Sequence, residues 1–211
     1  MKKRHPVEEW IAEGEHQRLD FKFEVSDSKK IARTLCAFAN TDGGRLLIGV
    51  KDNGAISGVR SEEEYYMIEA AAGMYCRPAV PFEATRWEVK GKTVLEIYVS
   101  PSNAKPHFAP DKDGKYKAYL RVADENILAD DVLVLAWRKK SEPAGTLLKV
   151  SKPVEKLLHY LDSHPFIRLS QFCRMTRIDY RTGKNILSDM IALDTLRYTV
   201  ENKRIVYTRS T

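Results

Sequence analysis

Apolar and polar residues alternate with a period of two in several short stretches, which is the pattern of half-buried strands. Residues 19–25 (LDFKFEV), 82–89 (FEATRWEV) and 92–99 (KTVLEIYV) follow this alternation, and residues 118–122 (AYLRV) are predicted as a later strand. Residues 45–50 (RLLIGV) form an unbroken apolar run, which is typical of a strand buried on both faces. These stretches predict a sheet with one central, fully covered strand.

A helical period appears in residues 29–41, where Ile31, Leu35 and Phe38 fall on one face after cap oxygens at residues 26–28. The pair Gly43-Gly44 is placed to end this helix, since glycine adopts a positive φ without a Cβ penalty. Asn53-Gly54 predicts a type I′ hairpin turn. Further helices are predicted at residues 7–13, 62–74 and 130–139.

Residues 141–145 (SEPAG) combine proline, glycine and polar residues, which favours a linker between two domains, 1–140 and 146–211. The second domain has the predicted order of a winged helix-turn-helix, namely three helices and then a β-ribbon, at residues 154–161, 169–173, 180–193, 196–200 and 204–208. The fold class is therefore α+β, with a mixed-sheet α/β domain followed by a small winged-helix domain.

Composition narrows the setting of the protein. No apolar run approaches the roughly 18 residues of a membrane helix, and the N-terminus lacks the apolar region of a secretory signal, so we expect a soluble, cytoplasmic protein. The three cysteines fit neither a disulfide framework nor a zinc knuckle and are predicted to be reduced packing residues. The net charge of +6 is concentrated in residues 141–211, with 12 lysines and arginines against 7 acidic residues, which favours a polyanion-binding module.

Three segments in fixed order, LDFK, LCAFANTDGGRLLIGVKDNGAISGV and YLRVADENILAD, resemble the Schlafen AlbA-type domain family over roughly residues 10–138. The resemblance implies a mixed α/β fold and association with nucleic acid. Some members have been described as ATP-binding, but the chain has no P-loop string, so no ATP site is expected. The family pattern leaves binding and cleavage both open.

The resemblance also implies a candidate nuclease centre. Ribonuclease-type animal Schlafen proteins use three acidic residues whose matching positions here are Glu15, Asp20 and Asp52. Such carboxylates could coordinate Mg²⁺ or Mn²⁺ for phosphodiester cleavage. The alternative is structural: a solvated or ion-paired Asp20 beside Lys22, an Asp52 that accepts turn hydrogen bonds, and an exposed Glu15. Aspartate in place of the commoner glutamate at position 20 also shortens the reach toward a metal.

In a winged helix the third helix enters the major groove, so its exposed N-terminal residues are the candidate contacts to DNA. Arg181 and Lys184 are the leading candidates, while Ile186, Leu187 and Met190 have the spacing of a buried face. The full set of predicted nucleic-acid contacts is Lys22, Arg177, Tyr180, Arg181, Thr182, Lys184, Asn202, Lys203 and Arg204. The alternative is a module for protein contacts with a solvated basic face.

Together these features predict a DNA-binding protein, a transcriptional regulator, that requires no cofactor. Its partner would be DNA, with RNA and a homodimer left open. The alternative from another class is a Mg²⁺- or Mn²⁺-dependent nuclease that acts on RNA or single-stranded DNA through Glu15, Asp20 and Asp52. A non-enzymatic protein-interaction module is a third reading.

Overall fold

The structure, a computed structural model, describes residues 4–142 and 145–210 and has the predicted α+β class. The chain forms two compact units, Met1–Leu128 and Ala129–Thr211. The division therefore falls before the helix that starts at Asp131, whereas the sequence pattern predicted a boundary after it. Of the predicted linker, residues 143–144 lie outside the described residues.

The N-terminal unit contains three helices and seven strands, counted over its described residues. A turn of π-helix, Ala71–Tyr75, directly follows the third helix. The elements are α1 (Pro6–Glu13), β1 (Leu19–Lys22), α2 (Ser28–Asn40), β2 (Gly44–Ile48), α3 (Glu63–Ala70), β3 (Glu83–Val89), β4 (Lys92–Val99), β5 (Phe108–Pro110), β6 (Tyr116–Val122) and β7 (Glu125–Leu128).

One sheet has the order β1-β2-β4-β3, with β1 parallel to β2 and the other pairs antiparallel, so it is mixed as predicted. Its strand β2 is buried on both faces. Leu46 and Ile48 join the core with α2, while Leu47 joins a second core with Val7 of α1. Period-two geometry explains this division, because successive side chains of a strand point to opposite faces.

Helix α2 begins and ends as its sequence predicts. The Asp27 carboxylate caps it by accepting from the Lys29 amide at 2.8 Å, and the Gly43 amide, at φ +71°, donates to the Phe38 carbonyl at 2.9 Å. A Cβ on Gly44 would lie 2.5 Å from the Phe38 ring, so the absent side chain permits close packing of helix and strand. The helix then packs against β6 of a second sheet, β5-β6-β7.

Two local features differ from the prediction. The Gly54 amide donates to the Lys51 carbonyl, and Gly54 alone has a positive φ, so the turn places Asp52 and Asn53 at its centre and is not type I′. Strands β5 and β7 occupy segments in which no strand was predicted. The burial of Cys36 and Cys76 agrees with their prediction as packing residues; both are free thiols, and their Sγ atoms lie 3.3 Å apart.

The C-terminal unit contains α4 (Asp131–Lys140), α5 (Lys152–Leu161), α6 (Leu169–Thr176), α7 (Tyr180–Ala192), β8 (Leu196–Glu201) and β9 (Arg204–Arg209). From α5 onward, this is the predicted order of three helices and a hairpin. Helix α4 packs along α7 with Val132, Leu133 and Ala136 buried. Of the helices in the described part of the chain, none has the length and apolar character needed to cross a bilayer.

Two polar contacts fix α4 within this unit. The Lys139 ammonium lies 2.5 Å from an Asp189 carboxylate oxygen and 3.0 Å from the Ser188 hydroxyl, both on α7. At the other end, Asp130 accepts from the Leu133 amide at 3.0 Å and from the hydroxyl of buried Tyr207 on β9. Because α4 is attached at both ends, its contacts assign it to the C-terminal unit.

Candidate nucleic-acid interface

The carboxylates of Glu15 and Asp20 lie together beside strand β1. Glu15 accepts from the Phe21 amide at 2.9 Å, and its carboxyl group forms a hydrogen bond with Asp20. Burial, reinforced by that hydrogen bond, raises the pKa of Glu15.

Asp20 is not a solvated strand residue, since only 4% of its surface is exposed. One oxygen lies 3.2 Å from the Arg121 guanidinium and the other 3.0 Å from the Lys22 ammonium. The ion-pair alternative thus describes Asp20. Lys22, predicted as a nucleic-acid contact, is half-buried and also donates to the Phe21 carbonyl at 2.7 Å.

Asp52 differs from this pair because it is exposed, whereas Glu15 is half-buried and Asp20 is buried. Its side chain is exposed at the centre of the Lys51–Gly54 turn, where Asn53 and not Asp52 accepts the Ala55 amide. The described residues contain no cluster of three acidic, histidine or cysteine side chains arranged for a metal ion. The three predicted carboxylates are therefore not gathered into one metal site in this structure.

The predicted contacts of the C-terminal unit divide into two groups around α7. Asp179 caps the helix, accepting from the Thr182 amide at 2.9 Å and the Thr182 hydroxyl at 2.6 Å, and these bonds lower the pKa of Asp179. Arg181 is exposed in this first turn, whereas Lys184 is half-buried. Gly183 faces α6, where an added Cβ would lie 2.4 Å from Cys173 Sγ. The predicted exposed face is thus correct for Arg181 and only partial for Lys184.

The second group lies at the turns. Arg177 ends α6 in the left-handed conformation at φ 57° and is exposed, as is Tyr180 at the start of α7. Asn202 and Lys203 both have positive φ between the paired residues Glu201 and Arg204, which is the geometry of a type I′ turn. Exposed cationic groups therefore occur at both the helix end and the hairpin tip, at Arg177, Arg181, Lys203 and Arg204.

Comparison with known proteins identifies the N-terminal unit. The model of the family Schlafen, AlbA_2 matches residues 15–130, which is more than half of the chain. The chain belongs to the Schlafen AlbA_2 family. The match includes Asp20, Asp52 and Arg121, and it ends two residues beyond the N-terminal unit, at residue 130.

Solved structures similar to this Schlafen AlbA_2 chain include the DIP2311 protein from Corynebacterium diphtheriae and the N-terminal domain of a RecG-related protein from Nitrosomonas europaea. The first is 21% identical with a TM-score of 0.47 and covers 64% of this chain, which spans only 30% of that protein. The second is 21% identical with a TM-score of 0.40, covering 56% of this chain and 89% of that one. No curated protein matches the chain.

Sequence reasoning on this Schlafen AlbA_2 chain missed Arg121 as a site residue. Arg121 is 2% exposed, donates to the Leu19 carbonyl and Asp20, and stands over the Phe38 ring at 5.3 Å. The sequence did contain a sign of this role. Arg121 lies within the predicted strand segment YLRV, and an arginine buried in such a strand requires an anionic partner. Asp20 on β1 supplies it.

Proposed function

We propose that this protein binds duplex DNA as a transcriptional regulator, and that its C-terminal unit is a winged helix whose α7 contacts the major groove. The observation that carries the proposal is the distribution of charge between the two units. Residues 1–128 contain 20 basic and 20 acidic residues, whereas residues 129–211 contain 15 and 9. The entire net charge of +6 therefore belongs to the unit with the helix and hairpin.

The placement of the exposed cations supports the same proposal. In a winged helix, the first turn of the third helix meets base edges and phosphates, and the hairpin turn reaches the backbone or minor groove. Arg181 occupies the first position and Lys203 and Arg204 the second. An arginine can bridge the O6 and N7 atoms of guanine, while lysine provides a point charge for phosphate. Membership of the Schlafen AlbA_2 family is consistent with association with nucleic acid.

A salt titration of the full chain on labelled duplex DNA tests this function. We expect affinity to fall linearly on logarithmic axes as salt rises, because bound lysines and arginines release counterions. Arg181→Ala should weaken binding and flatten the slope by about one unit. Lys156→Ala, which removes an exposed cation from α5 of the same unit, is the matched control and should change the slope less.

Three outcomes of that titration would contradict the proposal. Absence of binding at low salt would leave the charge distribution without a nucleic-acid partner. Equal effects of Arg181→Ala and Lys156→Ala would mean that α7 is not the contact surface. Loss of the labelled strand only when Mn²⁺ is added, abolished by Asp52→Ala, would favour the nuclease alternative.

A further inference from the structure

A small cleft opens in the N-terminal unit between α2, the start of β1 and the β6–β7 hairpin. Its volume is about 350 Å³, close to the lower end of the usual range of ligand pockets, roughly 300 to 1,000 Å³. This size suits one nucleotide-sized group. The lining residues are Asp20, Lys22, Lys30, Arg33, Thr34, Tyr119, Arg121, Asp124 and Asn126.

Local structure explains why these residues converge. Lys30, Arg33 and Thr34 are three and four positions apart on α2, so they share one face of the helix. Tyr119 and Arg121 are two positions apart on β6, so their side chains lie on the same face of the strand. Asn126, paired with Arg121 across the hairpin, donates to the Thr34 hydroxyl at 2.9 Å and so joins the hairpin to the helix. The cleft is therefore built by three elements with fixed relative positions.

Four cationic and two acidic side chains line the cleft, and only some of them form ion pairs with one another. The charge of Asp20 is balanced by Arg121 and Lys22. Among the described residues, Lys30 and Arg33 form no ion pair, and Asp124 forms none at the exposed rim. Unpaired positive charge therefore remains on the α2 wall.

The orientation of Arg33 suits the cleft to an anion. Arg33 donates from Nε to the Pro110 carbonyl at 2.8 Å, which orients the guanidinium and leaves its two terminal nitrogens for a fork-like contact with phosphate. On the floor, the Nε atom of Arg121 is buried without a hydrogen-bond partner, although the residue is 2% exposed. The Arg121 guanidinium thus adds a buried positive charge beneath the cleft, beside the carboxylate of Asp20.

We propose that this cleft binds a phosphate monoester, carried by a mononucleotide or by the 5′ end of a nucleic-acid strand. The charge argues for a monoester, since that group carries about −1.5 to −2 at pH 7, which matches the net charge of +2 from the four cationic and two acidic lining residues. An internal phosphodiester carries a single charge and is flanked by chain on both sides. The inference does not depend on DNA binding by the C-terminal unit.

Calorimetric titration of the full chain tests the proposal with four probes: inorganic phosphate, AMP, and a short oligothymidylate with and without a 5′ phosphate. We expect AMP and the phosphorylated strand to bind. Lys30→Ala combined with Arg33→Ala should weaken both by roughly 10-fold or more, since hydrogen bonds to charged groups contribute about 1.5 to 3 kcal/mol. Lys29→Ala is the matched control, because Lys29 is the neighbouring exposed lysine of α2 but does not line the cleft.

The probes also identify the source of the phosphate. Equal affinity for AMP and the phosphorylated strand would indicate a free mononucleotide, whereas tighter binding of the strand would indicate a strand end. The proposal is overturned if no phosphate probe binds, if the strand binds equally without its 5′ phosphate, or if the double variant binds as wild type does. None of these results bears on duplex binding through Arg181, so the two proposals fail separately.

Discussion

Each unit of the protein holds an aspartate shielded from solvent, buried Asp20 in one and half-buried Asp130 in the other, and the two are surrounded by different groups. Asp20 in the N-terminal unit contacts two cations, Arg121 at 3.2 Å and Lys22 at 3.0 Å. Asp130 in the C-terminal unit contacts neutral donors, the Tyr207 hydroxyl and the Leu133 amide, and forms no ion pair among the described residues. Burial raises the pKa of Asp130, and it raises that of Tyr207 as well.

The different partners of Asp20 and Asp130 determine which mutations and which changes of pH destabilise each unit. A buried ion pair is balanced as a pair, so removing one partner leaves an uncompensated charge in a poorly polarisable interior. A carboxylate held by neutral donors has no such partner to lose, but its ionised form is disfavoured by burial. The N-terminal unit should therefore be sensitive to mutation of a cation, and the C-terminal unit to pH and to the loss of α4.

The largest expected effect is the loss of α4. A fragment of residues 146–211 lacks Val132, Leu133 and Ala136 and leaves Tyr207 without its Asp130 partner, whereas residues 129–211 retain them. Burial of valine and leucine contributes about 1.5 to 3 kcal/mol each, so we expect the shorter fragment to be less stable by several kcal/mol. Urea unfolding of both fragments, followed by circular dichroism, measures the difference; equal midpoints would show that α4 is dispensable.

Substitution of Arg121 should have the next largest effect. Arg121→Met leaves Asp20 buried with Lys22 as its sole cation, and we expect a loss of about 3 to 5 kcal/mol in the free energy of unfolding. Asp20→Asn in the same chain should restore part of that loss, because the uncompensated charge is removed. Lys29→Ala is a control at the surface of α2. If the two substitutions were simply additive in denaturant unfolding, the ion pair would have no energetic coupling.

The smallest effect is the pH dependence due to Asp130. Its pKa in the folded state is raised above the ordinary 3.8, so the folded state binds this proton more tightly than the unfolded state. The contribution of Asp130 to stability therefore falls as pH rises from about 3.8 through the raised value. Asp130→Asn keeps an N-cap and an acceptor for Tyr207 but cannot ionise, so its stability relative to wild type should increase over the same window.

Fluorescence offers a convenient measurement of that dependence, since Trp137 on α4 is the only tryptophan within residues 129–211. Unfolding of this fragment at a series of pH values gives the two stability profiles. Parallel profiles for wild type and Asp130→Asn would mean that the carboxyl group titrates alike in the folded and unfolded states.

Much of the fold followed from local sequence because local rules decided it. Asp27 as a cap, Gly43 as a helix end and the apolar run of β2 each depend on a few adjacent residues, and each is confirmed. Residues 90–91 adopt the two-residue type I′ geometry with both φ values positive, although the stronger signal, Asn53-Gly54, does not. There the antiparallel pairing is limited to a single bridge between Val50 and Ile56, so no ladder imposes the hairpin geometry.

The parts that escaped prediction depend on contacts between distant residues. The burial of Asp20 is explained by Arg121, about a hundred positions later, and no alternation within LDFK indicates it. Helix α4 was assigned to the first domain because the proline and glycine of residues 141–145 resembled a linker, yet its partners Asp189 and Tyr207 lie far along the chain. Strands β5 and β7 are short and form only by pairing with β6.

The contact of Gly44 with Phe38 has a consequence for evolution. The ring occupies the space that a side chain at position 44 would need, so the two positions share one volume although they lie in different elements. A lineage that acquires alanine or a larger residue at position 44 is expected to carry a smaller residue at position 38, and neither change is tolerated well alone. Among descendants of a common ancestor, the two sites should therefore change together, and a Phe-Gly pair that persists at these positions records a packing constraint.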